Sequence, residues 1–257
     1  MQQTGLSIEE LHIRYSVQAR WTAALRRHLL KRAQISPSDR VLDVGSGTGV
    51  VAAESKASIG ARIVALDLDP EALRFSRQLH ADLAHIAGDG FQLPFRNGCF
   101  ALAYCHFLLM WTPPPESILR EMRRVVRPAG WVMALAEPDY GGRLDFPHEL
   151  ESLGAFQTEA LRLQGADPVI GRRLRHLLVE AGLENVRGGV LGGEWADPPD
   201  PAELDSEWRT LTKDLAGRLS LEALARYRQV DSTAWNERRR VLFVPTFYAA
   251  GRVPQIA

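Results

Sequence analysis

Apolar positions recur at helical spacing through residues 7–33, where Leu11, Tyr15, Ala19, Ala23, Leu25, Leu29 and Leu30 predict an amphipathic helix. A polar connector, Ile35–Asp39, leads into a short apolar run, Arg40–Val44. That run breaks abruptly into Gly45-Ser46-Gly47-Thr48-Gly49, and an Ala-rich helical segment follows to Ser58. A second strand-like run, Ala61–Leu66, ends at Asp67, and Asp69-Pro70-Glu71 opens the next helix with proline in its first turn. A third run at Ala84–Ala87 ends at Gly88-Asp89-Gly90, and a fourth spans Phe100–Leu109. The spacing predicts a helix over Glu116–Val126, stopped by Pro128 and Gly130, then a fifth strand over Trp131–Ala136. Strand and helix alternate five times, the pattern of parallel strands joined by right-handed helical crossovers.

Beyond Asp139 the rhythm changes. Glu149–Gln164 and Gly171–Ala181 read as helices, Val186–Leu191 as a strand, and Asp197–Pro201 as a stiff linker. A polar helical stretch covers Ala202–Glu237, and Val241–Ala249 reads as a closing strand. There is no internal repeat.

Composition narrows the function classes. Hydrophobic residues are 46% of the 257, enough for a sizeable core. Lys+Arg and Asp+Glu both number 31, so the chain lacks the basic excess of a nucleic-acid binder, and Arg-rich stretches such as Arg238–Arg240 read as solvated helix surface. Cys99 and Cys105 are too few for a disulfide framework or a structural zinc site, and no metal site is expected. The N-terminus, with early acids and no apolar segment, does not read as a signal peptide, and no apolar run nears the roughly 20 residues that span a bilayer. The expectation is a cytoplasmic protein with reduced thiols.

The chemistry concentrates at the first strand–helix junction. A chain turning from strand to helix within five residues needs positive φ angles, which glycine adopts without steric cost, and missing side chains let a ligand approach the backbone. A dinucleotide fold spaces its glycines G-x-G-x-x-G, which here requires glycine at position 50. That position is Val50, and the glycines form G-x-G-x-G with Asp43 just upstream. Asp67 ends the second strand, where a carboxylate can accept from ribose hydroxyls.

Together with Gly88-Asp89-Gly90, Leu93-Pro94-Phe95 and the segment Glu121–Gly130, this junction resembles the class I S-adenosylmethionine-dependent methyltransferases, in their ubiquinone/menaquinone-biosynthesis-like (type 11) branch. The resemblance covers residues 10–140. It implies an α/β, doubly wound, Rossmann-like fold with a seven-stranded, mostly parallel sheet of order 3-2-1-4-5-7-6 and an antiparallel last strand. On that frame residues 7–33 form an N-terminal helical lid and 34–142 the cofactor-binding core. Residues 143–182 and 197–238 are helical cap insertions, and 183–192 and 241–250 the last two strands.

By the same resemblance, Gly45, Ser46, Gly47 and Gly49 wrap the methionine portion and ribose of S-adenosylmethionine. Asp67 holds the ribose hydroxyls, Leu68 walls one face of the adenine, Asp89 reads its amino group, and Gly90 and Phe91 complete the adenine pocket. Asp43 either sits near the amino acid end of the cofactor or ties down the glycine turn. The first helix is expected to bring Tyr15, Arg20 and Trp21 to that end, although their spacing does not place them on one stripe. His106, near the end of the fourth strand, is the candidate general base, with a hydrogen-bonded core histidine as the alternative.

Two departures from the family stand out. Ala101 replaces an acid that commonly braces the fourth strand, and the tetrapeptide associated with nucleic-acid and protein amide methylation is absent, Trp111–Pro115 resembling it only superficially. The reading is methyl transfer to a small-molecule acceptor by in-line displacement, with no nucleic-acid or membrane partner. The alternatives are a non-catalytic S-adenosylmethionine-binding regulator and an RNA or protein methyltransferase.

Overall fold

Ser7 opens the first helix. Its hydroxyl accepts from the Glu10 amide while the Glu10 carboxylate accepts from the Ser7 amide, a reciprocal cap that sets the start of α1 (Ile8–Arg32). This arrangement comes from a computed structural model that describes residues 6–193 and 199–255.

The alternating half folds as its pattern requires. β1 (Arg40–Val44), α2 (Val50–Ile59), β2 (Arg62–Asp67), α3 (Pro70–Leu79), β3 (Ala84–Ala87), β4 (Phe100–Cys105), α4 (Pro115–Val125) and β5 (Val126–Pro138) follow in order. Their strands pair in parallel, with β1 between β2 and β4. Both faces of the sheet are covered, so these strands are apolar at nearly every position. Leu42, Val44, Val64 and Leu66 pack toward α4 and Met122, whereas Val41, Ile63, Leu102, Tyr104 and Met133 pack toward α1 and α2.

The second half completes the sheet. α6 (Leu174–Glu180) leads into β7 (Glu184–Leu191), and β9 (Thr246–Arg252) runs antiparallel between β5 and β7. The order is β3-β2-β1-β4-β5-β9-β7. This is the expected 3-2-1-4-5-7-6 arrangement, because the two remaining strands lie outside the main sheet.

Three expectations need correction. Val241–Ala249 is not one strand: it breaks at Val244-Pro245, where proline has no amide to offer a ladder, into β8 (Val241–Phe243) and β9. β8 pairs instead with β6 (Leu144–Phe146) in a separate two-stranded ribbon. Ala202–Glu237 is two helices, α7 (Pro201–Asp214) and α8 (Leu221–Asn236), separated by a turn with Gly217 at φ 78°. Residues 174–181 are not cap. Leu174, Leu177, Leu178 and Ala181 are buried in the main core, on the α4 side of the sheet.

The cap proper is α5 (Glu151–Leu163), α7 and α8, packed around Leu153, Trp208, Leu211, Leu215 and Leu224. A buried charge network fastens it to the ribbon. Arg240 donates to Asp231 at 2.6 Å and to Asp145 at 2.7 Å, Arg143 donates to Asp145 at 2.6 Å, and the Trp208 indole donates to Asp231 at 2.9 Å. Each buried charge thereby keeps a partner, without which it would be costly. Trp195 and the first two residues of the expected linker, Asp197 and Pro198, lie outside the described residues. Among the described residues no helix is long and apolar enough to cross a membrane.

Candidate functional site

The turn between β1 and α2 is built on three left-handed glycines, with φ 73° at Gly45, 52° at Gly47 and 79° at Gly49. Side chains would also collide there. A Cβ on Gly45 would lie 2.6 Å from Leu108, and one on Gly47 would lie 2.9 Å from the Tyr15 ring. The loop is thus a bare backbone surface with residues from other elements pressed close to it. Gly45 and Ser46 donate their amides to the Leu66 carbonyl, at 2.8 and 3.0 Å, which ties the loop to the end of β2.

Asp67 completes that tie. Its Oδ2 accepts the Gly47 amide at 2.6 Å and its Oδ1 accepts the Asp69 amide at 2.9 Å. Burial pushes its carboxyl up from the ordinary range, and these backbone donors pull the other way. Each carboxylate oxygen still has a free lone pair, so Asp67 can accept further hydrogen bonds. Beside it Leu68 is 57% exposed and Phe91 39% exposed, large apolar groups left open at the ends of β2 and β3. Asp89 is exposed and accepts the Phe91 amide at 2.8 Å, which sets the turn through Gly90. Asp67, Leu68, Asp89, Gly90 and Phe91 therefore gather along one rim.

Asp43 lies under the loop at 1% exposure, and its Oδ2 has no hydrogen-bond partner. The Ser46 hydroxyl is also buried and unpartnered. Burial pushes the Asp43 carboxyl up to about 8, the neighbouring Tyr104 hydroxyl pulls the other way, and the Asp67 charge adds to the rise. Such orphaned atoms in a protein interior call for a ligand or a strong structural reason. The ammonium group at the amino acid end of S-adenosylmethionine fits them, and the glycine loop, Asp67 and the Leu68–Phe91 rim fit its ribose and base.

The raised carboxyl has a consequence for stability. A group whose pKa is higher folded than unfolded contributes stability fully below its unfolded value and loses it as pH rises through its folded value. Between pH 4 and pH 8 the wild type should therefore lose a term that Asp43→Asn lacks. We expect the melting temperature of the variant, relative to wild type, to climb over that window by several degrees. A constant difference from pH 5 to pH 8.5 would show that Asp43 is ionised in the folded protein.

α1 lies across the loop on a single stripe. His12 Nδ1 is 3.0 Å from Thr48 Oγ1, Tyr15 covers Gly47, Thr22 Oγ1 is 2.8 Å from His106 Nε2, and Arg26 pairs with Glu54 of α2. These positions follow helical spacing, which was the signal that pairing Tyr15 with Arg20 and Trp21 passed over. Arg20 points to the cap and pairs with Glu203 of α7, while Trp21 is 62% exposed. His106 is a partly buried, uncharged ring. Burial, with the neighbouring Arg26, lowers its pKa to about 3, which makes it a poor proton acceptor at neutral pH.

Glu137, at the end of β5, escaped the sequence reading. It is fully buried and accepts the amides of Leu108, Leu109 and Met110 at 2.8, 2.7 and 3.2 Å. It thereby fixes the loop after β4, including Leu108 against Gly45. The acid directly after six apolar residues, Trp131–Ala136, was the available signal. Glu121 and Arg124 have a similar role: their paired side chains hold Leu93, Phe95 and Asn97.

Residues 42–134 match the family described as Methyltransferase domain. The match covers about a third of the chain, from the middle of β1 into β5. The matched segment contains the glycine loop, Asp67, Asp89 and β4. Among curated proteins the chain is similar to a demethylmenaquinone methyltransferase of Renibacterium salmoninarum, 34% identical over 122 residues, which is 47% of this chain and 51% of that protein. It is also similar to a malonyl-[acyl-carrier protein] O-methyltransferase of Erwinia pyrifoliae, 34% identical over 105 residues, 41% of this chain and 40% of that protein. The alignments span about half the length of these relatives. Among solved structures, the Haemonchus contortus phosphoethanolamine N-methyltransferase 2 complex with S-adenosyl-L-methionine superposes with a TM-score of 0.58 at 13% identity, over 88% of this chain and 51% of that one. The cyclase SpnF does so with a TM-score of 0.55 at 17% identity, over 91% and 83%. The chain therefore shares the fold of these proteins. Among the described residues no group of three or more His, Cys, Asp and Glu side chains could hold a metal.

Proposed function

We propose that this protein transfers a methyl group from S-adenosylmethionine to a small-molecule acceptor in the cytosol, without a nucleic-acid or membrane partner. The observation that carries this reading is the glycine loop with Asp67 bonded to Gly47 and the orphaned Asp43 and Ser46 atoms beneath it. When bound, the donor supplies an electrophilic methyl on a sulfonium, already a good leaving group.

The chain's own residues then mainly position. Asp67 accepts from the ribose, Asp89 and the Leu68–Phe91 rim take the adenine, and Asp43 faces the ammonium of the amino acid end. Tyr15, carried on α1, lies over Gly47 and excludes water from the loop. Glu137 holds the segment that brings His106, Phe107 and Leu108 beside the donor. Alignment of this kind supplies up to roughly 7–11 kcal/mol of barrier reduction. α1 is joined to the cap through Arg14, which donates to Thr210 of α7 at 3.1 Å, and a helical cap suits an acceptor small enough to enter a cavity.

The test is binding followed by turnover. Calorimetry should show S-adenosylhomocysteine binding once per chain and no response to NAD. Incubation with labelled methyl donor and a small-metabolite extract should then release S-adenosylhomocysteine and a labelled low-mass product. Tight NAD binding with no response to the sulfur nucleoside overturns the donor. Donor binding with no turnover in any extract fraction favours the regulatory reading, and label in RNA or protein favours the polymer substrates.

A further inference from the structure

A second cavity lies at the other end of the sheet. It has a volume of about 400 Å³ and lies between the last turns of α1 and the antiparallel strands β5, β9 and β7. Trp131 and Met133 come from the first half of β5, whereas Glu137 stands at that strand's opposite end beside the donor site. In register, Met133 pairs with Ala250, Arg187 with Ala250 and Gly189 with Tyr248, so these positions share one face of the sheet. A Cβ on Gly189 would lie 2.8 Å from the Tyr248 ring, and its absence lets that ring lie close over β7. The floor is therefore aromatic and apolar.

The rim is cationic. His28, Arg32, Arg175 and Arg187 line the cavity, and no Asp or Glu does, in a chain whose formal charges balance. All four are exposed, and none forms an ion pair with a carboxylate among the described residues. On the adjoining α6, His176, which is not part of the rim, pairs with Glu180. Trp131 adds a third feature. Arg252 stacks on its ring at 4.1 Å, and its buried Nε1 has no acceptor.

We propose that this groove binds a small aromatic phosphate, its planar ring on the Trp131–Tyr248 floor and its phosphoryl group on Arg32 and Arg187. The volume falls within the range of small-ligand sites, roughly 300–1,000 Å³, and convergent cations over an apolar floor are how such sites fix orientation. Guanidinium groups match phosphate oxygens with paired donors. The site is independent of the donor pocket and of the methyl-transfer reading, being formed by the opposite end of the strands.

The probe is 2-naphthyl phosphate, titrated calorimetrically into the full chain saturated with S-adenosylhomocysteine, with 2-naphthol and inorganic phosphate as controls. We expect one site per chain and at least tenfold tighter binding than either control. Arg32→Ala with Arg187→Ala, both exposed and so compatible with folding, should weaken binding by roughly tenfold per arginine lost. Circular dichroism checks that the double variant stays folded. Equal binding of 2-naphthol, competition by S-adenosylhomocysteine, or an unchanged affinity in the double variant overturns the proposal. So does sedimentation showing a dimer that the double variant abolishes, since the groove then belongs to a second copy of the chain.

Discussion

Replacing Asp67 by alanine is expected to weaken S-adenosylhomocysteine binding by two orders of magnitude or more, while Asp69→Ala leaves affinity nearly intact. Two losses add at Asp67. The ribose loses charge-assisted hydrogen bonds worth roughly 1.5–3 kcal/mol each, and the Gly47 amide loses the acceptor that holds the loop at 2.6 Å. Asp69 instead accepts the Glu71 amide at 2.8 Å as the N-cap of α3, so its removal should cost about 1 kcal/mol of stability. Melting temperatures separate the two effects: Asp67→Ala must lose affinity at a temperature where it is still folded. Equal affinity changes in the two variants would place the ribose contact elsewhere.

Glu137→Ala should give the largest loss of stability at a single position, a fall in melting temperature of roughly 10 °C. Three amides at the start of the turn after β4 would be left without an acceptor in a buried site, each costing on the order of 1–3 kcal/mol. For a chain of this size about 1 kcal/mol corresponds to roughly 2–4 °C. Glu137→Gln should lie between wild type and alanine. Its amide oxygen can still accept from Leu108 and Leu109, but its NH2 group faces the Met110 amide, donor against donor. Differential scanning calorimetry reads all three proteins. A glutamine variant as unstable as alanine would mean that the charge, rather than the acceptor geometry, holds this turn. At pH 7 the wild-type carboxyl is only partly ionised, burial having pushed it up to about 7, so the glutamine penalty should shrink as pH falls to 5.

The sheet was legible because its strands are covered on both faces and write themselves as apolar runs, interrupted by glycine and proline where ends meet helices. The same logic failed where burial is one-sided. β8 and β9 together look like one apolar segment, and only the missing amide of Pro245 separates the strand in the ribbon from the strand in the sheet. α6 has the period of any amphipathic helix, and nothing in Leu174–Ala181 says which of two apolar surfaces receives it. In the site, Asp67 and the glycines were readable from local backbone need. Glu137 and His12 act across gaps of 28 and 36 residues. Arg20 shows the complementary error, a basic residue near the loop in sequence but turned to α7 by the 100° that each helical residue adds.

β9 is hydrogen-bonded between β5 and β7, and both neighbours precede it in the chain. During vectorial synthesis the sheet must therefore wait with a slot open, one strand wide, until residues 246–252 emerge. Pairings this distant in sequence form slowly, because the loop must close before the contacts reward it. Until then β5 presents an unpaired, nearly fully apolar edge, the kind of surface that recruits other chains. The ribbon of β6 and β8 offers a way through this delay. Its three register pairs join residues 144–146 to 241–243, and once formed they deliver Thr246 to within a few residues of Pro138. The small sheet beneath the cap would thus serve assembly as well as architecture, guiding the last strand into the middle of a sheet that is otherwise already built.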